Sequence, residues 1–564
     1  MAVVVLASLY GLVPASTLAA SPPRCDLLFS GGRVVDGTGA PWFRADVCVV
    51  ADRIAGVGDL AGAVARRRIP AARLVIAPGF IDMLGQSEYN VLVDPRAASK
   101  ITQGITTEIT GEGSSIAPSN PRMLAEGREA FEHYGVTPDF TTLAGYWKAF
   151  ARARPAINLG TFVGAGGVRN LVVGESDRPA TPDELRQMEA AVAQAMEEGA
   201  FGLSTSLQYV PDRFASTEEI VALAKVARRY GGSYITHQRS ESDAIDASLD
   251  EVFRVAREAS IPAQIYHLKT SGRPNWGRMA AVLGRIEDAR ARGLDVSADQ
   301  YPYVAGQNGL DANLPVWVRD GGRDRMIERL RDPAVRARVK ADLAREDPSW
   351  ENQYRGAGGA AGVLVVSVVN PALKKYEGRT LEEIGKDEGK DPVDVIMDLV
   401  IADRANTSNV IFIMSEDDVR LALKHRLVSL CTDSGASATD GIFSEERSHP
   451  RAWGSAARIL GRYVREEKLL PLEEAIRKMT SLPASRMGLA ERGIVRPGML
   501  ADLVAFDPDT VMDKSTYEAP LQYSEGIPFV AVNGQLVVDE GRITEARPGR
   551  ALLGPGYRGP DAGP

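Results

Sequence analysis

Ser233-Tyr234-Ile235-Thr236-His237-Gln238-Arg239, answered by Ile265-Tyr266-His267-Leu268-Lys269, decides how this chain of 564 residues is read. Each run is β-rich, is closed by a histidine and carries a cation two residues further on. Side chains on a strand alternate faces, so His237 and Arg239 are expected to point one way, as are His267 and Lys269. A helical pattern from Leu249 to Ala259 separates the two runs. Another, Thr217 to Tyr230, precedes them behind the capping sequence Ser216-Thr217-Glu218-Glu219. Strand alternating with helix is the signature of a parallel sheet. The chain holds only five histidines, so two at matching strand ends predict a metal site beside an anion clamp rather than two core imidazoles.

The same rhythm extends outward. Strand candidates are Leu74 to Asp82, Thr106 to Thr110, Ile157 to Val163, Gly202 to Thr205, Tyr234 to His237, Ala263 to His267, Val296 to Tyr301 and Val428 to Thr432. Eight strands with intervening helices predict an α/β fold, a (β/α)8 barrel, over residues 76–489. A polar, charge-rich segment, Leu310 to Tyr354, reads as an insertion near 310–360, and strand-like runs at Val363 to Val368 and Asn409 to Ile413 leave the strand count open. Short strands and turns at both ends, with a hairpin at Asn533-Gly534, predict a small β-sandwich domain from residues 21–75 and 490–555.

Composition narrows the function classes. A net charge of −8, with no long basic run, argues against nucleic acid as a partner. Residues 1–20 are uncharged and mostly apolar, ending in Ala15-Ser16-Thr17-Leu18-Ala19-Ala20, and read as a secretory signal peptide that lacks the usual basic start. Export to the periplasm or medium is the expectation, with a cytoplasmic location as the alternative. No other run approaches the length of a membrane span. Cys25, Cys48 and Cys431 are too few for a disulfide framework, although Cys25 and Cys48 could pair in an exported protein.

Further motifs then become informative together: Gly32-Arg33-Val34-Val35-Asp36-Gly37-Thr38-Gly39, Pro78-Gly79-Phe80-Ile81-Asp82, Gln103-Gly104-Ile105-Thr106-Thr107, Tyr301-Pro302-Tyr303, Thr432-Asp433-Ser434-Gly435, Ser448-His449-Pro450-Arg451 and Lys478-Met479-Thr480-Ser481. In this order, from about Asp26 to Pro555, the chain resembles the amidohydrolase superfamily, and within it the N-acyl-D-amino-acid deacylase (D-aminoacylase) group. The resemblance implies a metal-dependent barrel that hydrolyses the amide of a small anionic N-acyl amino acid. Cyclic amide hydrolysis, dipeptide hydrolysis and a non-catalytic anion-binding barrel are the alternatives.

Two departures matter. The family's first strand ends Asp-x-His-x-His, whereas this chain has Asp82-Met83-Leu84-Gly85-Gln86, and leucine cannot bind a metal. Where the family commonly has Gly-Asn-Cys-Gly, this chain has Gly111-Glu112-Gly113-Ser114. Glu112 is therefore the candidate third ligand beside His237 and His267, a set that suits one divalent ion, zinc above all. A turn residue without metal contact is the alternative reading of Glu112. Asp433 matches the family's general base, with a helix N-cap as its structural alternative. Lys269 matches the family's carboxylate-binding lysine. Arg239, Tyr209, Tyr303 and His449 are further candidates for substrate contact, each with a packing or ion-pair alternative. His133 and His425 lie in polar helical surroundings and read as surface residues. Substrate chirality, acyl group and oligomeric state are not legible in these residues.

Overall fold

The computed structural model describes residues 24–559, so the signal-peptide reading of residues 1–20 lies outside the described residues. Eight parallel strands form the barrel: β1 (Phe80–Asp82), β2 (Ile105–Thr110), β3 (Asn158–Thr161, continued by Val163–Gly164), β4 (Gly202–Ser206), β5 (Ser233–His237), β6 (Ala263–Ile265), β7 (Val296–Gln300) and β8 (Val428–Leu430). Each pairs with the next in parallel register. The ring closes where Met83 N donates to Leu430 O at 3.2 Å and Gly85 bridges to Ser434.

The helix Thr217–Arg229 shows why sequence dictates this alternation. Ser216 accepts the amide of Glu219, acidic residues fill the first turn and Arg228 and Arg229 the last. Ile220, Leu223, Ala224 and Ala227 recur at helical spacing and are all buried, so one stripe faces the barrel.

The run Leu74 to Asp82 is not one strand. Val75–Pro78 pairs antiparallel with Leu503–Phe506 and belongs to a nine-stranded sheet built from both ends of the chain, while Phe80–Asp82 opens the barrel. Gly79 divides them, and a Cβ there would sit 2.2 Å from Thr106 Oγ1. Cys25 and Cys48 form a disulfide in this terminal sheet, leaving Cys431 free and buried.

The excursion between β7 and β8 is larger than the sequence suggested. Gly306–Gly309, Val363–Ser367, Arg379–Thr380 and Ser408–Ile411 make their own four-stranded sheet, so the insertion does not end near residue 360. Val363–Ser367 pairs antiparallel with Ser408–Ile411. Those two runs satisfy each other's backbone groups and are not barrel strands.

Candidate active site

β5 ends at His237, with Ser206 of β4 as its neighbour in register. β6 ends two residues before His267, which adopts a positive φ of 33° and whose amide donates to Asp299 Oδ1 at 2.7 Å. Both imidazoles thus emerge at the C-terminal ends of their strands, where barrel sites form. Their ring centroids are 4.5 Å apart and nearly perpendicular.

Glu112 sits in the loop after β2 and meets both rings. His237 Nδ1 lies 2.9 Å and His267 Nε2 3.2 Å from the same oxygen, Glu112 Oε1. Among the described residues these three form a grouping whose donor atoms lie within 4.8 Å of one another, as a shared ion requires. The rear of each ring is also held. His237 Nε2 is 2.7 Å from Gln208 Oε1, and His267 Nδ1 is 3.1 Å from Glu241 Oε1. With protons on those rear nitrogens, both rings would offer their facing lone pairs to an ion held beside Glu112, the arrangement in which outer partners orient metal-binding histidines.

The electrostatics favour positive charge here. Burial alone would raise the Glu112 carboxyl, but hydrogen bonds from His237 and His267 hold it well below the usual range. Burial and Lys269 oppose protonation of His267, yet Glu241, Asp433 and Glu112 outweigh them and push it up to about 10. A carboxylate-rich pocket that stabilises a cation, with two nitrogen donors and one oxygen donor converging, fits a divalent metal.

Glu241, four residues beyond His237, was not singled out from sequence. It is 2 % exposed and takes two hydrogen bonds from Lys269 Nζ at 2.8 and 2.9 Å. Lys269 also lies 2.6 Å from His267 Nδ1, so when that nitrogen is unprotonated the lysine donates to it instead. Burial would raise the Glu241 carboxyl, but Lys269 and the two histidines keep it ionised. The only signal available in sequence was a carboxylate four residues after a strand-end histidine, a common pattern.

Asp433 follows β8 at a positive φ of 50°. It lines the same cavity of about 400 Å³ as Glu112, His237, His267 and Lys269. Its Oδ2 is 2.7 Å from Arg451 NH1. Arg451 is itself buried, with its guanidinium 4.7 Å from the centre of the Tyr301 ring, and its Nε and NH1 make no hydrogen bond of good geometry. A buried guanidinium whose one anionic partner is Asp433, with its Nε free of any hydrogen bond, can receive a further anion from the cavity.

Other sequence candidates fall differently. Tyr209 lines the cavity, its ring 5.0 Å from that of His237. Arg239 does not line it: the chain turns away after His237, and the guanidinium pairs with Glu251 at 2.8 and 2.9 Å. The period-two argument required the strand to continue, and it stops. Tyr303 bonds to Asp513, and His449 is wholly buried with Nε2 on Ala305 O at 2.9 Å, so neither reaches the cavity lining. Arg451, two residues past His449, reaches it instead. His133 is 3.2 Å from Glu446, and His425 is 3.0 Å from Glu287; both lie away from Glu112.

The first-strand departure has a structural counterpart. Leu84 is fully buried hydrocarbon, and Gln86 donates its amide to Glu112 Oε2 at 2.7 Å.

Comparison with known proteins agrees with this layout. Residues 71–538 match the amidohydrolase family. D-aminoacylase of Alcaligenes xylosoxydans xylosoxydans is 36% identical over 531 residues, 93% of this chain and 97% of that protein. N-acyl-D-glutamate deacylase of the same organism is 36% identical over 530 residues, 94% and 96%. Among solved structures, D-aminoacylase superposes with a TM-score of 0.77 at 37% identity, covering 94% of this chain and all of that one. N-acyl-D-glutamate deacylase from Bordetella bronchiseptica, complexed with zinc and a phosphonate mimic of the tetrahedral intermediate, gives 0.78 at 32%, with the same coverage.

Proposed function

The chain belongs to the amidohydrolase family, and from that premise we propose that it is a metal-dependent deacylase of N-acyl-D-amino acids, releasing a carboxylate and a free amino acid. The observation that carries the reading is the convergence of His237 Nδ1 and His267 Nε2 on Glu112 Oε1, in one cavity with Asp433, Lys269 and Arg451. Glu112, His237 and His267 would hold one divalent ion, zinc by preference. Such an ion supplies Lewis acidity, making water more acidic and polarising the amide carbonyl.

The protein's own groups account for the rest. Asp433 takes the proton of the attacking water and later returns it to the departing nitrogen, base first and acid second. Lys269 and Arg451 receive the substrate carboxylate, the lysine as a point charge and the arginine through its planar fork. Because Arg451 pairs with Asp433 in the free cavity, an entering carboxylate draws the guanidinium away and leaves Asp433 free to accept a proton. Tyr209 borders that space. We assign a single ion because Leu84 offers no donor and the Gln86 amide already caps Glu112 Oε2.

Metal analysis with a panel of N-acetyl-D- and L-amino acids, dipeptides and hydantoins tests this. Wild type is expected to bind one equivalent of metal and to favour the N-acetyl-D-amino acids. Asp433→Asn is expected to keep the metal and lose turnover by about 10²-fold or more, while Glu112→Ala loses the metal. Full metal occupancy and normal turnover in Glu112→Ala would exclude the ligand role. For location we propose export, supported by the Cys25–Cys48 disulfide, which persists in oxidising compartments. Mass measurement of the mature N-terminus checks it.

A further inference from the structure

Two relatives with different substrates, D-aminoacylase and N-acyl-D-glutamate deacylase, stand at the same 36% identity. Similarity therefore does not decide which amino acids this cavity takes, but its charges do. Among the described residues that line it, the only lysine and arginine are Lys269 and Arg451. Lys269 is bound to Glu241 and Arg451 to Asp433, and under the proposed function the two serve a single carboxylate.

The remaining walls hold no cation. On the side of the four-stranded sheet they present Gln307, Asn308, Gln353 and Ser408 with Ile411 and Ile413. Those amides close on one another: Asn308 donates to Tyr209 Oη at 3.1 Å and to Gln353 Oε1 at 2.8 Å, and its carbonyl accepts from Asn409 at 2.7 Å. Arg319 feels Tyr209 and Asp311 but is not part of the lining. A separate part of the wall carries Tyr134, Phe443 and Glu446. Glu446 is held in place by Tyr134 Oη at 2.7 Å and His133 Nε2 at 3.2 Å. A second carboxylate entering this space would lose its water, find no counter-ion and share the cavity with a fixed anion. A neutral side chain meets none of these penalties.

We propose that the enzyme is selective for N-acyl amino acids bearing one carboxylate, with neutral side chains, and that Glu446 is a specificity-determining residue that repels acidic ones. The inference rests on the deacylase reading and deepens it. N-acetyl-D-glutamine and N-acetyl-D-glutamate differ in charge with almost no difference in shape, so their kcat/KM ratio on the zinc-loaded full chain isolates the effect. Glutamate is expected to be poorer by about tenfold or more, and Glu446→Gln to narrow that gap by about threefold or more. Equal or faster hydrolysis of the glutamate substrate would overturn the selectivity while leaving the deacylase reading intact. Hydrolysis of neither, with metal bound, would overturn the deacylase reading itself. A gap unchanged in Glu446→Gln would remove Glu446 from the explanation.

Discussion

Replacing Glu241 by glutamine tests the least obvious part of the site. Glu241 touches no substrate in the proposed mechanism; it is a positioning residue that accepts from His267 Nδ1 at 3.1 Å and from Lys269 at 2.8 and 2.9 Å. Glutamine keeps the shape and one acceptor oxygen but removes the charge. His267 then loses its preference for the tautomer that leaves Nε2 bare, and loss of such an outer partner typically weakens metal affinity by about 10- to 100-fold. That is about 1.4 to 2.7 kcal/mol of binding free energy. Lys269 is left buried beside a neutral amide, and breaking a buried pair on one side costs about 3 to 5 kcal/mol, so the ion-free protein should also melt earlier. Zinc affinity is read by competition with a chromophoric chelator, with Glu446→Gln as the control for removing a cavity carboxylate that makes no contact with a ligand histidine. Affinity within twofold of wild type in Glu241→Gln, or an equal loss in Glu446→Gln, would refute the argument.

Two further outcomes follow from particular contacts. Arg451→Met should raise KM for carboxylate-bearing substrates by about tenfold or more with little change for neutral amides, whereas Arg239→Met should leave KM unchanged because its guanidinium belongs to Glu251; the two sets of kinetics, compared side by side, would contradict the structure if Arg239 were the sensitive one. Lys478 is buried with a single carbonyl partner, Leu423 O, and burial pushes its ammonium down to about 7. Between that value and its unfolded value of about 10.4 the unfolded chain binds the extra proton, so this residue destabilises the fold more as pH falls through that window. The apparent melting midpoint of Lys478→Met should therefore exceed that of wild type at pH 7, with the difference shrinking toward pH 10.

Several features were legible because their cause is local. Alternating strand and helix patterns follow from the spacing of apolar residues, as in Ile220, Leu223, Ala224 and Ala227, and eight of them specify a barrel. Histidines at strand ends could be placed at the mouth for the same reason, and the family resemblance marked Leu84 as a departure from an expected histidine.

Other features depended on where the chain turns. Whether Arg239 or Lys269 faces the cavity could not follow from alternation, since both strands end before these residues and the turns set the directions. His449 and Arg451 are two residues apart, yet one is sealed against a backbone carbonyl and the other stacks on Tyr301 at the cavity. Glu241 and Glu446 gained their roles from partners distant in sequence, Lys269 and Tyr134. Sequence alone, then, determined the alternation that builds the barrel and the two imidazoles, because hydrophobic period and residue chemistry are local properties, while the loss of the first-strand ligands was legible only through the family resemblance. Tertiary structure alone decided between the ligand and turn readings of Glu112, and which cations border the substrate space, because side-chain direction beyond a strand end is set by long-range packing.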